Sequence, residues 1–177
     1  MPRIFTGVEI PAEVGQSLSA LRGGLPGARW IDPDNYHLTL RFIGDVDHTI
    51  ATEVMQMLGR VERRPFEIAL KGVNHFGGKK PRAVVAVVAA NGALAELQAD
   101  HERILQRIGL PPEQRKFIPH VTLARLREST NREVADYLSV RGAFKSPPFP
   151  VMRFVLFSSR ASTGGGPYVI EAAYPLQ

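Results

Sequence analysis

Two spacings of apolar residues alternate along the chain. Every-other-residue alternation and short apolar runs, bounded by turn residues, predict strands at residues 3–10, 37–43, 66–73, 82–89, 120–125, 151–158 and 168–174. Between them the spacing lengthens to three and four. Val14, Leu18 and Leu21 outline a first helix, and Ile50, Val54 and Leu58 a second. A longer stripe of Leu94, Leu97, His101, Ile104, Leu105 and Ile108 outlines the third, which Gly109 stops. Thr130 and Glu133 make a capping-box signal ahead of Val134 and Leu138, the fourth.

In order, this reads β-α-β-α-β, the same again, and a closing strand. The strand at His37 recurs at His120, the helix near Thr49 near Thr130, and the strand at Phe66 near Val151. The expectation is a single domain over residues 1–177 made of two lobes, with pattern repeats at about 1–80 and 81–177. Loop chemistry marks residues 77–81, 146–150 and 162–167, and the first of these is the natural lobe boundary. The glycine run at 164–166 lacks the helix start directly behind it that a phosphate-cradling loop requires.

Composition narrows the chemistry. The 177 residues are 44% hydrophobic and 22% charged, an ordinary globular balance that excludes disorder and fibre. There is no cysteine, so thiolate nucleophiles, disulfides and Cys-rich zinc sites are excluded. The longest apolar run, residues 83–90, falls short of the roughly 18 residues a membrane span needs. The N-terminus lacks the pattern of a secretory signal, and a soluble, cytoplasmic protein without membrane contact is expected. A net charge of +5 favours a polyanionic partner without proving one.

The repeats share one local signature, His37-Leu38-Thr39-Leu40 and His120-Val121-Thr122-Leu123. In a strand, residues two apart share a face, so each motif sends an imidazole and a hydroxyl to one side and two apolar residues to the core. A lone strand histidine is usually structural, but a matched pair with matched threonines is not a chance pattern. Two imidazoles with an ordinary pKa near 6.5 suit general acid and base work, and the hydroxyls can donate to phosphate oxygens. A zinc site would need a third ligand, and no carboxylate repeats around the motifs; a serine hydrolase would need a Gly-x-Ser-x-Gly elbow, which is missing.

These motifs resemble the 2H phosphoesterase superfamily. The string from Trp30 to Val46, with residues 3–11, Pro81-Arg82 and residues 119–125, is similar to the bacterial and archaeal RNA 2′,3′-cyclic phosphodiesterases, also called 2′-5′ RNA ligases, of LigT-like type. The resemblance implies a bilobal α+β fold, with an antiparallel sheet and flanking helices in each pseudo-symmetric lobe and a cleft between them, and neither metal nor cofactor. It implies hydrolysis of a 2′,3′-cyclic phosphate to a 2′-phosphate, on RNA ends or 2′,3′-cyclic nucleotides; separately, a monomer is expected. His120 carries over as general base, His37 as general acid, and Thr39 and Thr122 as phosphate ligands. The sequence alone leaves the order of the two histidines open. Ligation, another 2H reaction, or an RNA-end-binding module without turnover stand as alternatives.

Arg41 shares strand parity with His37, whereas Arg125 has the opposite parity to His120 unless a bulge intervenes; both are candidate substrate contacts, with solvated surface as the alternative. Phe5, Tyr36, Phe42 and Phe76 are candidates to stack a base, against a default of core packing. His48, His75 and His101 lack the motif. Lys79, Lys80 and Arg82 are candidates to steer an RNA backbone, or simply to solvate a loop.

Overall fold

In a computed structural model, residues 3–159 and 166–177 are described. Most of the loop expected at 162–167 lies outside them. The first half of the chain runs β1 (Arg3–Glu9), α1 (Ala12–Ser19), β2 (Ala28–Trp30), β3 (His37–Asp45), α2 (His48–Leu58), β4 (Phe66–Ile68) and β5 (Leu70–Phe76). The second runs β6 (Ala83–Val88), α3 (Gly92–Ile108), β7 (His120–Leu126), α4 (Asn131–Arg141), β8 (Phe149–Val151), β9 (Arg153–Ser159) and β10 (Val169–Pro175).

The helix starts follow their polar caps. Asp47 accepts from the Ile50 amide and Asn91 from the Leu94 amide, while Thr130 and Glu133 form the reciprocal capping box expected from sequence. Gly109 ends α3 at φ +103°, a left-handed conformation that a side chain would strain.

All strand pairs are antiparallel. The large sheet has the order β10-β9-β1-β3-β7-β6-β5, with β2 also on β7, and β4 and β8 form a separate pair. The large sheet consists of two arms, β10-β9-β1-β3 and β7-β6-β5, whose only register pair along β3 and β7 is Leu38 with Val121. Beyond that pair β7 takes β2 as its partner. One face of both arms joins a single core in which Ile4, Leu38, Val84 and Val121 pack with Leu18, Val54, Leu97 and Val134 of the helices. The other face carries a separate small cluster, Phe5, Val155 and Phe157.

The lobe boundary expected at residues 77–81 is corrected. That turn closes the β5–β6 hairpin inside one arm, where Arg82 donates its amide to the Phe76 carbonyl. Each arm draws strands from both halves of the chain: β1 and β3 share one arm with β9 and β10, while β5 shares the other with β6 and β7. The strand expected at 66–73 breaks between Ile68 and Leu70, the one expected at 151–158 breaks at Met152 with Val151 ending the separate β8, and the short β2 shows too few residues to carry a period.

Candidate active site

His37 opens β3 and His120 opens β7. Their strands meet at Leu38 and Val121, so both motifs face one cavity of about 750 Å³ lined by His37, Thr39, His120 and Thr122. The antiparallel register about that pair sets each histidine toward the threonine of the other motif. Both imidazoles are held alike: the His37 Nδ1–H donates to the Asn35 carbonyl at 2.9 Å and the His120 Nδ1–H to the Ile118 carbonyl at 2.6 Å. In each case the acceptor is the backbone two residues upstream. Holding Nδ1 on a carbonyl leaves Nε2 for the cavity, as acceptor when neutral and donor when protonated.

The surroundings of the two rings differ. His37 sits among Phe5, Phe157 and Tyr168, with ring centroids at 5.1, 5.5 and 4.9 Å, whereas His120 meets the edge of Phe76 at 4.6 Å. Burial pushes the His37 pKa below its ordinary value, and the nearby His120 and Arg125 charges push the same way against the Asn35 bond. Burial likewise lowers His120, opposed by its bond to Ile118. Both rings are therefore biased toward the neutral form until an anion enters between them.

Bulges decide where the two arginines go. Thr6 pairs with Arg41 and Gly7 with Thr39, so Leu40 is an extra residue in β3. The bulge turns Arg41 away from His37 to the face that Thr6 presents to α3. Only 6% exposed, Arg41 donates to Glu102 Oε2 at 2.5 Å, to the Phe42 carbonyl at 2.6 Å and to the Pro111 carbonyl at 2.6 Å. The expectation that Arg41 shares the histidine face is thus corrected. In β7 the matching bulge falls at Leu123, since Val84 pairs with Ala124 and Val85 with Thr122. Here it brings Arg125 onto the cavity face, where its charge opposes the upward push of burial on the Tyr168 phenol.

A sequence model of the family described as LigT like Phosphoesterase matches residues 8–87 and again 85–168. The chain belongs to the LigT-like phosphoesterase family. An RNA 2′,3′-cyclic phosphodiesterase of Aquifex aeolicus is 30% identical over 82% of this chain and 81% of its own length. One of Aeropyrum pernix is 38% identical over 61% of this chain and 62% of its own length, so the match spans less than two thirds of that relative. The crystal structure of E. coli LigT complexed with 3′-AMP superposes with a TM-score of 0.78 at 24% identity, covering 99% of both chains.

The twofold pattern of a LigT-like chain extends past the motifs. On the cavity face of one arm Phe5 stands between Phe157 and Phe42; on the other, Ala83 stands between Phe76 and Arg125. Phe42 and Arg125 thus occupy equivalent positions, one apolar and one cationic. Of the four aromatic candidates, Phe5 is buried beneath His37, Tyr36 is buried in the main core and Phe76 packs on His120, whereas Phe42 is 42% exposed at the cavity wall. Arg82 borders the cavity; Lys79 and Lys80 stay outside it on the turn. His48 begins α2 at the surface, His75 lies on β5, and His101 is fully buried, its Nδ1 2.8 Å from the Thr6 hydroxyl. Sequence reasoning missed Tyr168, Arg115 and Lys116 as wall residues and Phe157 as a ring packed on His37, because chain separation and a loop carry them to the site without a signal of their own. Among the described residues no group of three or more His, Asp or Glu side chains is placed to hold a metal ion.

Proposed function

We propose that the chain hydrolyses the 2′,3′-cyclic phosphate of RNA ends or nucleotides to a 2′-phosphate by two-histidine acid and base catalysis. The observation that carries this reading is the matched tethering of both Nδ1 atoms, which aims two Nε2 atoms into one cavity flanked by two threonines. His120, neutral, takes a proton from water as its oxygen bonds to phosphorus. The bond from phosphorus to the 3′ oxygen breaks, and protonated His37 returns a proton to that oxygen. Thr39, Thr122 and Arg125 bind the non-bridging oxygens, whose charge grows in the transition state. Phe42 stacks the base.

The reverse reaction, 2′-5′ ligation, uses the same groups with exchanged roles. A binding module without turnover would have no need of two oriented imidazoles. The reading treats residues 1–177 as one two-lobed unit, monomeric and cytoplasmic; no helix among the described residues is long and apolar enough to cross a membrane.

Incubation with 2′,3′-cyclic AMP in excess EDTA tests the proposal. The expected product is the 2′-phosphate, lost in His37→Ala and in His120→Ala with circular dichroism unchanged. A 3′-phosphate product, or dependence on added metal, overturns it.

A further inference from the structure

Residues 110–119 contain neither helix nor strand, yet they form one wall of the cavity through Glu113, Arg115, Lys116, Phe117 and Ile118. A segment without a hydrogen-bond ladder takes its position from its anchors. Its far end is held to the sheet, where the Val88 amide donates to the Pro119 carbonyl at 3.1 Å. At its near end the Leu110 amide donates to the Leu105 carbonyl at 3.0 Å, and the residues just beyond are held by an ion pair. Arg41 bonds both the Pro111 carbonyl, at 2.6 Å, and Glu102; Glu102 in turn accepts the Glu113 amide at 2.7 Å. The Glu113 carboxylate then accepts the Arg115 amide at 3.0 Å. Three residues further on, the Ile118 carbonyl holds His120.

We propose that Arg41 and Glu102 are positioning residues for His120: a buried guanidinium on the His37 strand fixes the segment whose Ile118 carbonyl orients the other imidazole. The inference rests on the reading of His120 as a reacting group. An ion pair with its guanidinium buried and its carboxylate part-buried is a poor device for stability alone, since an apolar pair of similar size often does as well or better. What an apolar pair cannot do is grip two carbonyls and an amide in fixed directions. Arg41 donates to carbonyls on both β3 and the segment, so the placement of one histidine motif becomes a constraint on the other.

The test is the double variant Arg41→Met/Glu102→Leu, which removes both charges together and leaves neither one buried alone. The kcat on 2′,3′-cyclic AMP is expected to fall at least 10-fold with KM within threefold. In 15N spectra of the imidazoles taken without substrate, His120 is expected to lose its single Nδ1–H tautomer while His37 keeps its own. The spectra decide the inference even if the chain hydrolyses no cyclic phosphate. Should the double variant fail to fold, Glu102→Gln, which keeps the shape, is expected to move the same signals in the same direction by less. An unchanged His120 tautomer, equal disturbance of both histidines, or a loss confined to KM overturns the proposal.

Discussion

Leu38 and Val121 face each other across β3 and β7, and each is the immediate neighbour of a motif histidine. Both side chains are fully buried in the core, so the contact that joins the two arms also sets the spacing of the imidazoles. Leu38→Ala is expected to destabilise the fold by about 2–5 kcal/mol through lost burial and the cavity left behind. It is expected to lower kcat further than an equally destabilising change remote from the arms, such as Leu58→Ala. Urea midpoints and kcat measured on the same preparations check the pair.

Gly7 lies opposite Thr39, with no room for a side chain. A Cβ there would stand 2.7 Å from the Leu38 carbonyl oxygen and 3.0 Å from the Phe157 ring. Gly7→Ala therefore pushes β1 from β3 at the level of the motif. A loss of about 1–3 kcal/mol in thermal or urea unfolding is expected, with reduced turnover in the folded fraction.

The lowered pKa of both cavity histidines fixes the side on which activity lies. The base must be neutral, so rate rises through its pKa; the acid must be protonated, so rate falls above its own. With both displaced downward by burial, the bell in kcat/KM for free enzyme is expected to centre below about 6.5, the ordinary histidine value. Arg125 contributes to the lowering of His37. Arg125→Gln is expected to reduce the rate overall and to move the centre of the bell upward. A bell left where it was would separate Arg125 from the titration.

His101 makes stability sensitive to mild acid. Burial pushes its pKa down to about 3, so below the unfolded value the unfolded chain binds a proton that the folded chain refuses. Its contribution is complete at neutral pH and declines as pH falls through about 6.5, by about 1.4 kcal/mol per unit. His37 and His120 add in the same direction, and Asp100 and Glu102, whose pKa values are lowered, join only below the ordinary carboxylate range. Urea unfolding between pH 7.5 and 5 is expected to show this slope. It should flatten in Thr6→Val/His101→Leu, which removes both buried partners.

Phe42 is expected to separate binding from chemistry. It is the exposed aromatic of its row, two strand positions beyond the reacting groups once the bulge is counted. Phe42→Ala is expected to raise KM for 2′,3′-cyclic AMP about 10-fold while kcat stays within a factor of two, and Phe42→Tyr is expected to restore KM. Equal loss in kcat would place the ring in the architecture of the site instead.

The histidines and threonines were readable because a period of two survives in the stretch from His37 to Thr39 and from His120 to Thr122. The arginines, a few residues on, were misassigned or undecided because the bulges at Leu40 and Leu123 add a residue that no apolar pattern announces. Four helices could be read from capping and spacing, yet the partners of each strand could not. Alternation tells which side chains face the core, and β1 would alternate in the same way beside β9 or beside β5. Tyr168 and Phe157 reach His37 through that unreadable pairing.

The same pairing makes the two halves of the chain interdependent. A fragment ending in the 77–81 turn would hold β1 and β3 without β9 and β10, and β5 without β6, leaving sheet edges and apolar faces uncovered on both arms. Mixed with the complementary fragment that holds β6 to β10, it is expected to find its missing strands there. Both cavity walls exist only where the two half-chains lie together, so the unit that can carry the chemistry is a pair of half-chains, here written as one.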